Sequence, residues 1–96
     1  MARFDVHRGR AGWLLDVQSE LTASLSSRIV VPMRARAGMA PIADLNPVFL
    51  IEGEAHAMLT HLLAAVPCRA LGGVRHSLAH ERDAITRALH LLFTGF

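Results

Sequence analysis

The hydrophobic period of this chain changes near Ser77, and that change constrains the fold more than any other feature. Before Ser77, apolar residues come in short runs broken by Gly, Pro and acidic turns. After it, Leu78, Ile85, Ala88, Leu89 and Leu92 fall on one helical stripe, with Arg82, Asp83, Thr86, Arg87 and His90 mostly off it. A helix is predicted over about 77–93, with Ser77 as N-cap, Asp83 and Arg87 as an i,i+4 pair, and Gly95 as the stop. Residues 94–96 are expected to form a functional tail.

The earlier runs read as four or five strands. Residues 2–7 alternate, with Phe4 and Val6 on one side and Arg3, Asp5 and His7 on the other. A turn at H-R-G-R-A-G leads to a second strand over 13–17, and the polar stretch 18–27 reads as a loop. Arg28–Met33 is short and β-branched, and Pro32 predicts that this strand ends there or lies at an edge. P-V-F-L-I and A-H-A-M-L flank Glu52-Gly53-Glu54, the pattern of a hairpin, with the two glutamates solubilising the turn. Residues 57–66 fit strand or helix equally, Pro67 interrupts them, and Cys68–Gly73 reads as a short strand ending in a glycine pair. The expected class is mainly β (α+β): an antiparallel sheet sealed by one terminal helix, in one domain over residues 1–96.

Composition narrows the function. The 52% apolar content supports a packed core. A chain of 96 residues buries only roughly 60–65% of its unfolded surface, which favours association with a second copy. All ten basic residues are Arg and the formal charge is only +2, so the pI near 10.0 reflects the absence of Lys and Tyr more than a strongly basic face. No run approaches the roughly 18 apolar residues of a membrane span and no signal-peptide core is present, so a soluble cytoplasmic protein is expected. The lone Cys68 reads as a small core residue.

The candidate chemistry is sparse. Arg3, Asp5 and His7 are the residue types a ribonuclease uses to activate a hydroxyl and steady a phosphate, and also what a solvated strand face displays. His76 and His80 lie four apart but lack a third ligand, and His56 and His61 read as surface residues, so no metal is expected. No G-x-S-x-G or P-loop is present, and neither enzyme nor cofactor is expected. The carboxyl-terminal end differs in kind: Leu91, Leu92, Phe93 and Phe96 crowd the last six residues, with no charge after Arg87. Such an end either folds back on the domain or is covered by a partner.

L-x-D-V-Q-S-E (14–20), R-I-V-V-P (28–32), L-N-P-V-F-L-I-E-G-E (45–54), V-P-x-x-x-L-G (66–72) and residues 78–96 resemble, in order and spacing, the CcdB toxins of bacterial toxin–antitoxin modules. The resemblance implies an SH3-like β-barrel with a terminal helix, the CcdB/MazF-like toxin fold, assembled as a homodimer. It implies a poison of the DNA gyrase A subunit, neutralised by a CcdA-type antitoxin and touching DNA only indirectly through the antitoxin complex. On that pattern Gly95, Phe96, Thr94, Ser19, Leu21 and His90 are the gyrase-binding positions, and Arg8, Arg10 and Trp13 face the antitoxin. The family's tail reads F-W-G-I; here Thr94 stands in place of the Trp. Two alternatives follow: a CcdB-like protein that dimerises and binds antitoxin without poisoning gyrase, and an endoribonuclease of MazF type.

Overall fold

The computed structural model describes residues 2–10 and 12–95, and among these seven strands form one antiparallel sheet, followed by a helix. The strands are β1 (Asp5–Arg8), β2 (Trp13–Asp16), β3 (Ser27–Ala35), β4 (Val48–Ile51), β5 (Glu54–Met58), β6 (Ala64–Pro67) and β7 (Val74–Ser77), and the helix α1 is Arg82–Thr94. The sheet order is β4-β5-β3-β2-β1-β7, with β6 also paired to β3. Sheet and helix enclose a core that includes Val6, Leu15, Val31, Met33, Phe49, Met58, Leu78, Ile85 and Ala88. Each of the larger of these side chains contributes about 1.5–3 kcal/mol by leaving water. The expected class, an antiparallel sheet sealed by a terminal helix, is what the chain adopts. No helix among the described residues is long and apolar enough to cross a membrane.

Several boundaries differ from the sequence reading, each for a local reason. β1 starts at Asp5 because residues 2–5 make a turn: the Asp5 carboxylate accepts from Ala2 N at 2.7 Å, and Phe4 takes φ 73° with its ring buried. β3 runs straight through Pro32. Its carbonyl accepts from Leu59 N, so its ring nitrogen faces the gap between the last β6 pairing at Val30 and the first β5 pairing at Met33. A missing N–H costs no ladder bond there. The ambiguous stretch 59–66 resolves into a 3₁₀ turn at Thr60–Leu62 and the start of β6, which Pro67 ends instead of interrupting. Cys68–Ala70 is a 3₁₀ turn, not a strand, and its half-buried thiol donates to Leu25 O at 3.6 Å.

The hairpin is as expected, with Ile51 paired to Glu54 across a two-residue turn. Glu52 (φ 54°) and Gly53 (φ 80°) both lie in the left-handed region, as a type I′ turn requires. The helix begins five residues later than predicted. Ser77 Oγ accepts from Ala79 N at 3.2 Å, at the start of a 3₁₀ turn, Ala79–Glu81, that precedes the helix and takes Leu78, not Ser77, as its N-cap. Gly95 at φ 84° ends α1, its N–H bonding Leu91 O at 3.0 Å, while no ion pair joins Asp83 and Arg87 among the described residues.

Candidate functional site

The β2–β3 ladder pairs Trp13 with Met33 at one end and Asp16 with Val30 near the other, and the sites proposed from sequence gather at these two ends. At the first end, Arg8, Arg10 and Trp13 line a groove of about 660 Å³ with Arg34 of β3. Its far wall carries Glu52, Glu54 and His56 from the β4–β5 hairpin. The Arg8 guanidinium sits 4.7 Å above the Trp13 ring, His76 meets that ring edge-on at 5.3 Å, and His76 Nε2 lies 3.1 Å from a Glu52 carboxylate oxygen. Sequence reading found Arg8, Arg10 and Trp13 but missed Arg34, Glu52 and Glu54. His56, read as a surface residue, is buried with Nδ1 2.9 Å from Glu54 O.

At the second end a buried polar cluster shapes the loop after β2. Arg28 and Asp16, 1% and 0% exposed, form a forked pair with Nε–Oδ2 at 2.7 Å and Nη2–Oδ1 at 2.9 Å. The hydrogen bond to Asp16 raises the Arg28 pKa above its ordinary value against the opposing pull of burial, so the guanidinium stays charged. Gln18 N donates to Asp16 Oδ1 at 3.0 Å, its side-chain oxygen accepts from Ile29 N, and its amide donates to Thr22 O. Ser19 then caps a 3₁₀ turn, Glu20–Thr22, by accepting from Leu21 N at 3.1 Å. The result is a hydrogen-bonded loop that leaves Leu21 95% exposed.

Beside that loop lies a hollow of about 330 Å³ lined by apolar Val17, Ile29, Leu63, Leu89 and Phe93 together with Gln18 and Ser19. It brings Ser19 against the last turns of α1. His90, Thr94 and Gly95 are exposed at that helix end, and the Thr94 hydroxyl donates back to His90 O at 2.6 Å. Phe93 is 70% exposed and does not fold back on the sheet. Phe96 lies outside the described residues. The structure thus places Ser19 with the helix end, and Leu21 on the same loop.

Arg3, Asp5 and His7 do not converge. Arg3 stacks over Phe4 at 4.8 Å and Asp5 holds Ala2 N. His7, expected on a solvated face, is fully buried, with Nδ1 2.8 Å from Gly72 O. The loop before β7 covers that face, which strand alternation alone does not reveal. Among the described residues no three of His, Cys, Asp and Glu are placed to share a metal ion.

A family model described as "CcdB protein" matches residues 3–95. Among solved structures, "Mycobacterium tuberculosis toxin MazF-mt6" is similar at TM-score 0.65 and 18% identity, over 93% of this chain and 95% of that one. A second, described as "Mtb toxin", is similar at TM-score 0.66 and 17% identity, over 92% of this chain and 99% of that one. At such identities the two structures establish a shared fold.

Proposed function

This chain belongs to the CcdB family, and from that premise we propose that it is a toxin acting by protein binding, as a cytoplasmic homodimer that engages the DNA gyrase A subunit and is neutralised by a CcdA-type antitoxin. The observation that carries this reading is the helix end. Phe93 stands 70% exposed beside an apolar hollow that Ser19 and Leu89 also line. An apolar end of this kind favours a protein surface as its cover. Ser19, Leu21, His90, Thr94, Gly95 and Phe96 are the proposed gyrase contacts, and Arg8, Arg10 and Trp13 the proposed antitoxin contacts. The test is a supercoiling assay with purified gyrase. Inhibition with trapped cleavage complexes is expected, and their absence at micromolar protein overturns the reading.

Thr94 favours a weaker variant of it, in which dimerisation and antitoxin binding persist without strong poisoning. Its hydroxyl is spent on the helix's own His90 carbonyl, and it has no ring to stack on a partner. The family's Trp at this position would contribute roughly 2–4 kcal/mol, or about 30- to 1,000-fold in affinity. Thr94→Trp is therefore expected to raise gyrase poisoning by that order in the same assay. The likeness in fold to one toxin named MazF-mt6 raises a ribonuclease reading, against which the separate commitments of Arg3, Asp5 and His7 weigh. Cleavage of single-stranded RNA by the purified protein, lost in Asp5→Ala, would support it.

A further inference from the structure

His7, His56 and His76 each have a polar partner, and they differ in what a second proton on the ring would meet. His76 Nε2 lies 3.1 Å from a Glu52 carboxylate oxygen, and His56 Nε2 lies 3.8 Å from one of Glu54. His7 has no such neighbour. Its Nδ1 is 2.8 Å from Gly72 O, an atom that can only accept, so Nδ1 carries the proton of the neutral ring and Nε2 is bare. The side chain is fully buried, and Nε2 is enclosed without a hydrogen-bond partner.

No charged group is positioned to compensate a cation at that place. Among the described residues no carboxylate lies within ion-pair distance of His7. Strand alternation puts Asp5 of β1 and Asp16 of β2 on its side of the sheet, but Asp5 holds Ala2 N and Asp16 is forked onto Arg28. β7 sets apolar Val74 opposite His7, with exposed Arg75 left over where the pairing to β1 shifts register. The covering loop, 71–73, brings Leu71 and two glycines. A second proton on Nε2 would leave a cation and an unpaired N–H enclosed, which costs far more than an exposed ion pair returns.

One side of this enclosure can yield cheaply. β7 is an edge strand of four residues, three of them exposed. The loop before it has no regular structure, and a Cβ on Gly72 or Gly73 would meet nothing within 4 Å. Edges packed this lightly open at the low end of a protein's range of local stability.

We propose that His7 is an acid-sensitive pin for this edge: when Nε2 takes up a proton, loop 71–73 and the leading end of β7 lift from β1, and water accepts the new N–H. Histidine is the side chain that ordinarily changes charge between pH 5 and 8, so the lifted form becomes more populated as the pH falls through that range. At His76 the sign is opposite. A proton there strengthens the contact with Glu52, which ties β7 to the β4–β5 hairpin, but both side chains are partly exposed and the restraint is weak.

Amide exchange of the full-length protein, corrected for its intrinsic pH dependence, reads this opening residue by residue. If the lifted form's imidazole titrates as a free histidine, opening at residues 71–75 should be about 30-fold more frequent at pH 5.0 than at pH 7.5. The core amides of Leu15 and Val31 should not follow. His7→Gln keeps an N–H for Gly72 O but does not titrate, and it should hold the ratio below about threefold. Glu52→Gln should preserve or enlarge the rise; its loss there would assign the response to the Glu52–His76 pair and overturn the proposal. So would a ratio below about threefold in the parent, an equal rise in His7→Gln, or a rise shared by the core. Should His7→Gln not fold, imidazole nitrogen spectra of the parent decide. A His7 ring that is charged while residues 71–75 stay protected overturns the pin, and a ring that charges only as they lose protection supports it.

Discussion

At the Trp13 end of the β2–β3 ladder three guanidinium groups stand on an open groove without a carboxylate in ion-pair distance among the described residues, whereas at the Gln18 end one guanidinium is fully enclosed and paired with Asp16. The same residue type therefore does opposite work at two places joined by the same two strands. Exposed arginines cost the fold little and leave their charge available to a partner. Enclosed Arg28 offers no charge to a partner, but it fixes a loop whose exposed tip is apolar Leu21, next to a hollow walled by Phe93. Recognition at the first end should depend on salt. At the second it should depend on buried apolar area and on the shape of the loop.

The largest test of this contrast is Arg28→Met. It leaves Asp16 as an unpaired buried carboxylate, and about 3–5 kcal/mol of stability should be lost. That is a large share of the 5–15 kcal/mol typical of a domain. Urea unfolding would show the midpoint falling while the slope holds. Arg10→Met, by contrast, should move stability by no more than about 0.5 kcal/mol. The double variant Asp16→Leu, Arg28→Met removes both charges and should recover much of the loss. A double variant as unstable as the single one would mean that the pair's hydrogen bonds to the loop, not its charge balance, hold this end together.

Next in size is Phe93→Asp. If a second copy covers the hollow, placing a carboxylate there should weaken dimerisation by about 30- to 1,000-fold, as loss of a central apolar anchor does. Sedimentation equilibrium reads this directly. Arg34→Glu, at the other end, should leave the monomer–dimer balance unchanged. An equal effect of the two substitutions would erase the division of labour between the ends.

How much of each end was legible in sequence follows from the range of the forces involved. Helix α1 was visible because Ile85, Ala88, Leu89 and Leu92 repeat with its own period, and the hairpin because Glu52-Gly53 separates two apolar runs. β6 was not visible: Ala64, Ala65 and Pro67 are exposed, carry no alternation, and owe their strand to pairing with Ser27–Val30. The Asp16–Arg28 pair is a contact between neighbouring strands that no periodicity signals. Its trace was an acid closing one apolar run and a base opening the next. The groove showed the same limit. Arg8, Arg10 and Trp13 lie in and beside one hairpin turn and could be grouped, while Arg34 arrives from β3 and Glu52 and Glu54 from the β4–β5 hairpin only once the sheet forms. His7 misled for the same reason, since its cover is Gly72, 65 residues away.

Two glycines, one at each end, sharpen the comparison with smaller effects. At Gly12 a Cβ would lie 2.8 Å from the Met33 carbonyl oxygen, and that oxygen belongs to a strand that cannot easily yield. Gly12→Ala should cost about 1–3 kcal/mol. It should also disturb the Trp13–Met33 pairing, so that stability and Trp13 emission change together.

Gly95→Ala is the smallest and the most discriminating. A Cβ there meets nothing within 4 Å, so the whole cost is the left-handed backbone at φ 84°, about 1 kcal/mol. Because Gly95 N–H closes the last turn on Leu91 O, the loss should appear as faster amide exchange at the helix end, with the core unaffected. Gyrase poisoning provides the second readout. If Gly95 acts by contact or by directing the tail, poisoning should fall far more than a 1 kcal/mol fraying implies, which is about fivefold. A loss of fivefold or less would mean that Gly95 serves the helix alone. At the Gly12 end, then, substitution should harm fold and binding together, whereas at the Gly95 end the two should come apart.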